Sequence, residues 1–253
     1  MIDTHAHLDH LDNLREALEN AHKAGVSGIV SVGVDLTANQ KNLEIQKSTQ
    51  RPAIYVALGI HPGNINPQDI DACFAWIREH IREAVAIGET GLDYWYKGVK
   101  KDEARKDEQR RVFQKQLDLA KEYDLPVVIH SRGAWRDCFD MTRDAGVKKA
   151  VFHWYSGPLD ILKEIMDYGY YVGTTPSVAY SPQSREAMRY APVDKTLLET
   201  DCPVSYGQGE ETFRSEPKDV FRTLRAYAEL KNMPEEKIQE MVTRNALDFF
   251  GIS

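Results

Sequence analysis

The chain has 253 residues, of which 42% are hydrophobic and 28% charged, and its formal net charge at pH 7 is -7. These totals fit one large α/β domain or two small ones, and they exclude a protein that coats nucleic acid through bulk positive charge. No apolar run approaches the roughly 20 residues that a bilayer span requires, so we expect no membrane segment.

The first residues and the cysteines bear on the cellular location. Met1 is followed almost at once by Asp3 rather than by a basic and then an apolar stretch, which argues against a signal peptide. Cys73, Cys138 and Cys202 are odd in number, lie far apart and have no CxxC spacing, so neither a disulfide framework nor a thiolate zinc site is indicated. We therefore expect a cytoplasmic protein with reduced thiols.

Short apolar runs alternate with longer amphipathic segments along the chain. We predict eight strands, which are IDTHAHL near residue 2, GIVSVGV near 28, AIYVALGI near 53, AVAIGET near 84, PVVIH near 126, KAVFHWY near 149, YYVGTT near 170 and TLLETD near 196. Apolar residues recur at three and four positions in the segments between them, as in helices. Strands that are almost continuously apolar and separated by helices indicate parallel pairing, with burial on both faces. Eight such units in about 250 residues predict an α/β fold of the (β/α)8 TIM-barrel type.

Two helical segments, PKDVFRTLRAYAELKN and PEEKIQEMVTRNALDFF, follow the eighth strand, so we expect one extra C-terminal helix beyond the barrel. No linker, internal repeat or shift in composition divides the chain, and we expect residues 1–253 to form a single domain. The alternative is a doubly wound open sheet. That fold would normally carry a glycine-rich phosphate turn after the first strand, whereas LDNLREAL follows here and has no glycine.

Polar residues end five of the predicted strands, where a TIM barrel places its active site. They are His5 and His7 for the first strand, Glu89 for the fourth, His130 for the fifth, His153 for the sixth and Asp201 for the eighth. Residues i and i+2 of a strand share one face, so His5 and His7 can bind the same ion. A hydrogen-bonded core imidazole or a capping carboxylate would explain any one of the six. Because such explanations would have to hold independently at every position, the set indicates a metal centre.

The donor types restrict the metal and the chemistry. Nitrogen and oxygen donors without thiolate suit divalent ions such as Zn²⁺, Mg²⁺ or Mn²⁺, and we leave their identity open. Six ligands exceed what one catalytic ion needs, so we expect one or two ions per chain, and Glu89 would bridge a pair about 3.5 to 4 Å apart. A bound ion lowers the pKa of water from about 15.7 toward 7. We expect Asp201 to orient that water and to accept its proton.

Two further residues are candidates for substrate binding. Arg132 follows His130, and its guanidinium could hold a phosphate through two hydrogen bonds, although an exposed or ion-paired arginine is the alternative. His61 ends the third strand without an obvious place among the metal ligands, so we expect it to contact substrate or to support a ligand. Residues 97–111, KGVKKDEARKDEQRR, carry seven basic and four acidic side chains, and their mixed signs favour a solvated helix face over a polyanion site.

Ordered motifs cover nearly all of the chain. They are DTHAHLD with His5 and His7, GIHP with His61, IGETGLDY with Glu89, the QxxxFxxQLxLA pattern from Gln109 to Ala120, IHSRGA with His130 and Arg132, FHWYSG with His153, LLETDCP with Asp201, and RNALDFF. In these motifs the chain resembles the TatD family of metal-dependent deoxyribonucleases, within the wider amidohydrolase-like barrels. The resemblance implies that the six predicted ligands bind divalent ions and that the enzyme cleaves phosphodiester bonds in DNA.

The sequence departs from the pattern of that family at three places near the expected substrate rim. Gly133 stands where the family often has an acidic residue, Trp154 and Tyr155 stand where it often has Cys-Phe, and Ser215 stands where it often has Asn. No departure removes a predicted metal ligand. Substrate identity is therefore the part of the resemblance that these positions affect.

Three functions remain open from the sequence. The first is a metal-dependent deoxyribonuclease whose partner is DNA or another phosphodiester, with no membrane and no obligate protein partner evident. The second keeps the chemistry but hydrolyses an amide, a lactone or an aminoacyl ester. The third is a non-catalytic scaffold that binds metal.

Overall fold

Eight parallel strands form a barrel in this computed structural model, which describes residues 1–207 and 209–253. The strands are β1 Ile2–Ala6, β2 Gly28–Val32, β3 Ala53–Leu58, β4 Ala86–Gly91, β5 Val127–His130, β6 Ala150–Phe152, β7 Tyr171–Thr174 and β8 Thr196–Leu198. They pair in sequence order from β1 to β8. Near the C-terminal ends, the amide of Asp201 donates to the carbonyl of His5 (2.9 Å), and the amide of His7 donates to the carbonyl of Cys202 (2.8 Å). These bonds join the end of β1 to the segment after β8, and so connect the two edges of the sheet. The predicted (β/α)8 TIM barrel is confirmed.

Helices follow the strands in turn. They are α1 Leu14–Ala24, α2 Leu36–Ser48, α3 Ile70–His80, α4 Glu103–Tyr123, α5 Trp135–Ala145, α6 Leu159–Asp167, α7 Pro182–Tyr190, α8 Val220–Lys231 and α9 Glu235–Phe250. Asp35 and Asp102 cap α2 and α4, since each side chain accepts a hydrogen bond from a backbone amide of the first turn. Helix α9 is the extra C-terminal helix that the sequence predicts.

An apolar cluster fills the N-terminal end of the barrel. Its members come from seven strands and include Val30, Val128 and Leu197. Phe249 and Phe250 of α9 pack into the same cluster. The extra helix therefore closes this end, and the polar residues that follow the strands lie at the opposite end.

Strands β1 and β4 are irregular. The pairing register shifts between Asp3 and Ala6 in β1, and between Ile87 and Thr90 in β4. Such shifts change the direction of side chains relative to simple alternation, and they are common next to active sites. In this protein they occur in the strands that contain His5 and Glu89.

A short antiparallel hairpin, β9 Ser205–Tyr206 and β10 Phe213–Arg214, follows β8 and was not predicted. Its strands are two residues long, too short for an alternation pattern to stand out in the sequence. None of the helices in the described part of the chain combines the length and the apolar composition needed to span a bilayer.

Candidate metal centre

The first group of donor atoms lies between β1, β4 and the segment after β8. The Nε2 atoms of His5 and His7 each lie 3.5 Å from Oε2 of Glu89, and they lie 3.5 and 3.2 Å from Oδ1 of Asp201. An ion with bonds of about 2.0 to 2.1 Å in tetrahedral geometry separates its ligands by about 3.3 to 3.4 Å. The spacing of these four atoms therefore fits a single ion.

The second group surrounds the other oxygen of Glu89. Its Oε1 lies 2.9 Å from Nδ1 of His130 and 3.0 Å from Nε2 of His153, and these two nitrogens are 3.4 Å apart. His61 is farther away, with Nε2 at 3.7 Å from the same oxygen. Glu89 thus presents one oxygen to each group, as a carboxylate that bridges two ions does.

The hydrogen bonding of His5 tests whether these residues suit a metal ion. His5 is fully buried, and within the described residues neither of its ring nitrogens has a hydrogen-bond partner. A buried polar atom without a partner is costly, and nearly all such atoms in proteins are satisfied. A cation bound at Nε2 would satisfy one of the two nitrogens, so the donor set fits a metal.

The ionisation of His5, Glu89 and Asp201 also fits. Burial lowers the pKa of His5, which favours the neutral imidazole that binds ions. Burial alone would raise the pKa of Glu89, but the charge of His153 and the hydrogen bonds from His130 and His153 together outweigh it and hold that pKa well below its usual range. For Asp201, the hydrogen bond from His7 and the charges of His7 and His153 together outweigh burial and lower the pKa. Both carboxylates are therefore ionised at neutral pH.

The structure brings all six predicted ligands together at the C-terminal end of the barrel, and their binding of metal stays a prediction. One detail differs from the sequence-based expectation, since β8 ends at Leu198 and Asp201 follows three residues later. Asp201 has a positive φ of 48°. A non-glycine residue in this region is strained and is found preferentially at functional sites.

Asp93 belongs to the site, although the sequence analysis did not select it. It is fully buried, and its Oδ2 lies 2.8 Å from Nε2 of His130 and accepts a hydrogen bond of 2.8 Å from Nε of Arg132. Burial alone would raise the pKa of Asp93, but the hydrogen bond from His130 and the charges of both partners lower it. When His130 loses one proton to bind an ion, the ionised carboxylate of Asp93 favours keeping the other proton on Nε2, so that Nδ1 is the nitrogen that binds.

Glu199 is the second residue that the sequence analysis missed. It is 1% exposed, its Oε1 lies 3.4 Å from Nδ1 of His153, and that oxygen accepts a 2.7 Å hydrogen bond from the amide of Trp154. A Cβ atom at Gly173 would lie 2.5 Å from Oε2 of Glu199, so only glycine leaves room for it. The sequence offered a signal for Glu199, because it lies two residues before Asp201 in the predicted strand TLLETD, and alternate residues of a strand share a face.

The two predicted substrate-binding residues lie beside the second donor group. Arg132 has a side chain that is 50% exposed, and its bond to Asp93 uses Nε, which leaves the terminal nitrogens available at the rim. His61 is buried, and its Nδ1 accepts a hydrogen bond from the amide of Gly63. Burial lowers the pKa of His61 to about 3, so its ring is neutral. Its Nε2 then carries the proton and faces Glu89, which agrees with a supporting role.

The basic tract at residues 97–111 divides into two parts. Within α4, Lys106 pairs with Glu103 and Arg110 pairs with Asp107, as the prediction of a solvated helix face requires. The tract also contains three exposed lysines before the helix, which form no ion pair within the described residues. These are Lys97, Lys100 and Lys101, and we call them the rim lysines.

Comparison with known proteins gives matches over the whole chain. The family model described as TatD related DNase matches residues 2–251. The uncharacterized metal-dependent hydrolase YabD of Bacillus subtilis is 34% identical over 264 residues, which cover 100% of both chains. The human deoxyribonuclease TATDN3 is 30% identical over 262 residues, which cover 99% of this chain and 94% of that one. The crystal structure of YjjV, a TatD homolog from Escherichia coli, has a TM-score of 0.89 at 26% identity and covers 100% of this chain and 98% of its own.

Proposed function

Because this chain belongs to the TatD related DNase family, we propose that it hydrolyses phosphodiester bonds of DNA with the help of one or two divalent metal ions. The ions would be Zn²⁺, Mg²⁺ or Mn²⁺, and residues 1–253 would act as a single hydrolase domain in the cytoplasm. The observation that carries the proposal is the arrangement around Glu89. Its two oxygens face separate groups of nitrogen and oxygen donors.

Bound divalent ions would acidify water and polarise a phosphoryl oxygen. His5, His7, Glu89 and Asp201 would hold one ion, and Glu89 with His130 and His153 would hold the other. Asp93 would keep His130 in the tautomer that this requires, through the hydrogen bond at Nε2.

Asp201 is suited to the proton transfer. Its carboxylate is ionised, and its side chain is 10% exposed at the mouth of the site. It would accept the proton of the attacking water as that water approaches phosphorus. The positive φ of Asp201 and the bond from its amide to His5 fix the position of this carboxylate.

The basic groups around the site favour a phosphodiester over an uncharged amide or ester. The terminal nitrogens of Arg132 are available for a phosphate, and the guanidinium is also held over the ring of Tyr96 at 5.3 Å. The rim lysines add local positive charge to a chain whose net charge is -7. Contacts of this kind bind the sugar-phosphate backbone of DNA and do not depend on base identity.

The test uses protein stripped with a chelator and reloaded separately with Zn²⁺, Mn²⁺ or Mg²⁺. We expect release of nucleotides from single-stranded DNA, and elemental analysis should find one or two ions per chain. Asp201→Asn should lower kcat by about 10²- to 10⁴-fold, the usual contribution of a general base. Glu89→Gln should lose both the ions and the activity, because it removes the charge that both groups share.

Glu240→Gln is the matched control. Glu240 is an exposed residue of α9 that pairs with Arg244, far from the site, and its replacement should change nothing. A panel of amides, lactones and aminoacyl esters tests the second hypothesis. Turnover of one of these compounds without DNA cleavage above the Asp201→Asn background would overturn the proposal. Bound ions without any turnover would favour the scaffold.

A further inference from the structure

An aromatic cluster, formed by Trp95, Tyr96 and Trp135, lies at the rim of the barrel next to the second donor group. Among the large hydrophobic side chains of the described residues, Trp95 is the most exposed at 57%, and its neighbour Tyr96 is 39% exposed. Both lie in the loop between β4 and α4, which leaves the C-terminal end of the barrel. An exposed apolar side chain is informative when it adjoins a functional site.

The indole of Trp95 is held in place despite its exposure. Trp135 packs edge-on against it, with ring centroids 5.5 Å apart and planes at 89°. A Cβ atom at Gly133 would lie 2.4 Å from Cδ1 of Trp95, so the ring rests on the backbone next to Arg132. Gly133 also has a φ of +72°, which glycine adopts most easily. The departure from the family pattern at this position therefore makes room for the indole.

Hydrogen bonds tie this aromatic cluster to the donor atoms. The backbone amides of Trp95 and Tyr96 donate to Oδ1 of Asp93, at 2.9 and 3.1 Å. The other oxygen of Asp93 bonds His130 and Arg132. One buried carboxylate thus fixes the loop with the indole, a predicted metal ligand and a predicted phosphate ligand in relation to each other.

Positive charge continues from the aromatic cluster along the same loop. The rim lysines begin two residues after Trp95, and all three are exposed. Aromatic faces interleaved with cationic side chains are the usual features of a surface that binds nucleic acid strands, because bases stack on rings while cations contact phosphates. A solvated loop would explain the lysines alone, but it gives no reason to hold an indole in water.

We propose that the indole of Trp95 stacks on a nucleobase of the substrate while Arg132 and the rim lysines contact its phosphates. The proposal rests on the proposed DNA hydrolysis and adds a residue that distinguishes nucleotides from other phosphodiesters. Stacking of this kind accepts any base, because every base has an aromatic face.

The experiment compares an oligothymidylate with an abasic deoxyribose-phosphate oligomer of the same length. kcat and KM are measured on both, and Kd is measured by fluorescence anisotropy on phosphorothioate-linked versions that resist hydrolysis. Trp95→Ala should raise KM and Kd for oligothymidylate by about 5- to 150-fold, the usual loss when one stacking ring is removed. It should leave kcat and the values for the abasic oligomer unchanged, and Trp95→Phe should recover most of the affinity.

Tyr190→Ala is the matched control. Tyr190 is a 47% exposed aromatic residue at the end of α7, which leads into the N-terminal end of β8 on the opposite face of the barrel. An equal loss for both oligomers with Trp95→Ala, or no loss, would overturn the stacking proposal even if DNA is cleaved. If the parent protein binds oligothymidylate through Trp95 but cleaves neither oligomer, stacking stands and the hydrolysis proposal fails.

Discussion

Replacement of Asp93 by asparagine tests whether Asp93 orients His130 for the proposed metal ion. The carboxylate receives four hydrogen bonds: Oδ2 is bonded to His130 and Arg132, and Oδ1 to the amides of Trp95 and Tyr96. Asparagine has nearly the same shape but turns one oxygen into an NH₂ group. In either orientation, that NH₂ faces groups that themselves donate hydrogen bonds.

The orientation of the asparagine amide determines which ring nitrogen of His130 carries the proton. If the NH₂ group faces Nε2 of His130, the imidazole must move its proton to Nδ1 to accept a bond. Nδ1 then points a proton toward Oε1 of Glu89, 2.9 Å away, and has no lone pair for an ion. Loss of such a carboxylate partner lowers metal affinity by about 10- to 100-fold, which corresponds to about 1.4 to 2.8 kcal/mol. If the NH₂ group faces the two backbone amides instead, their unpaired donors should cost about 1 to 3 kcal/mol of stability.

Competition with a chelating dye measures the metal affinity, and thermal melting measures the stability. Asp137→Asn is the matched control, because Asp137 accepts a hydrogen bond from Tyr94 in the same region and pairs with Arg110. That variant should keep the metal affinity of the parent. Equal metal affinity together with an unchanged melting temperature in Asp93→Asn would refute the reasoning, because each orientation of the amide should lower one of the two.

Three other measurements test the remaining parts of the interpretation. A divalent ion at 100 times its Kd should stabilise the folded protein by about 2.7 kcal/mol. Since 1 kcal/mol shifts the Tm of a chain of this size by about 2 to 4 °C, the Tm should rise by about 5 to 10 °C. An identical Tm with and without EDTA would count against ion binding. Replacement of the rim lysines by glutamine should reduce the slope of log K against log salt by about 2 for single-stranded DNA, and an unchanged slope would mean that they do not contact phosphates. Burial raises the pKa of Cys73 to about 11 and shifts the pKa of the Cys138 and Cys202 thiols in the same direction. Since the thiolate is the reactive form, Ellman's reagent at pH 8 should label none of the three in the folded protein and all of them in guanidinium; rapid labelling of the native protein would contradict this burial.

The barrel could be predicted because its strands are buried on both faces and its helices on one. That difference appears directly in the sequence, as short apolar runs between amphipathic segments. The donors could be found for a related reason, because the fold specifies which ends of the strands meet. Glu199 was missed although its position two residues before Asp201 was visible, since the sequence analysis took only one carboxylate after the eighth strand.

The hydrophobic periodicity of the sequence could not identify Asp93 and Trp95 as site residues. Both follow β4 in a loop, where no repeating pattern indicates direction. The bonds from Asp93 to His130 and Arg132 join residues 37 and 39 positions apart. Only the course of the loop shows that Gly133 leaves space for the indole.

The order of amino acids by itself determined the class of fold and the set of donors, because both depend on local pattern and on one rule about where strands end. The tertiary structure alone decided which oxygen of Glu89 faces which histidines, and which ring nitrogen of His130 faces Asp93. Those features arise from register shifts and from hydrogen bonds between distant segments. Such contacts form only when the barrel closes, so no stretch of sequence encodes them locally.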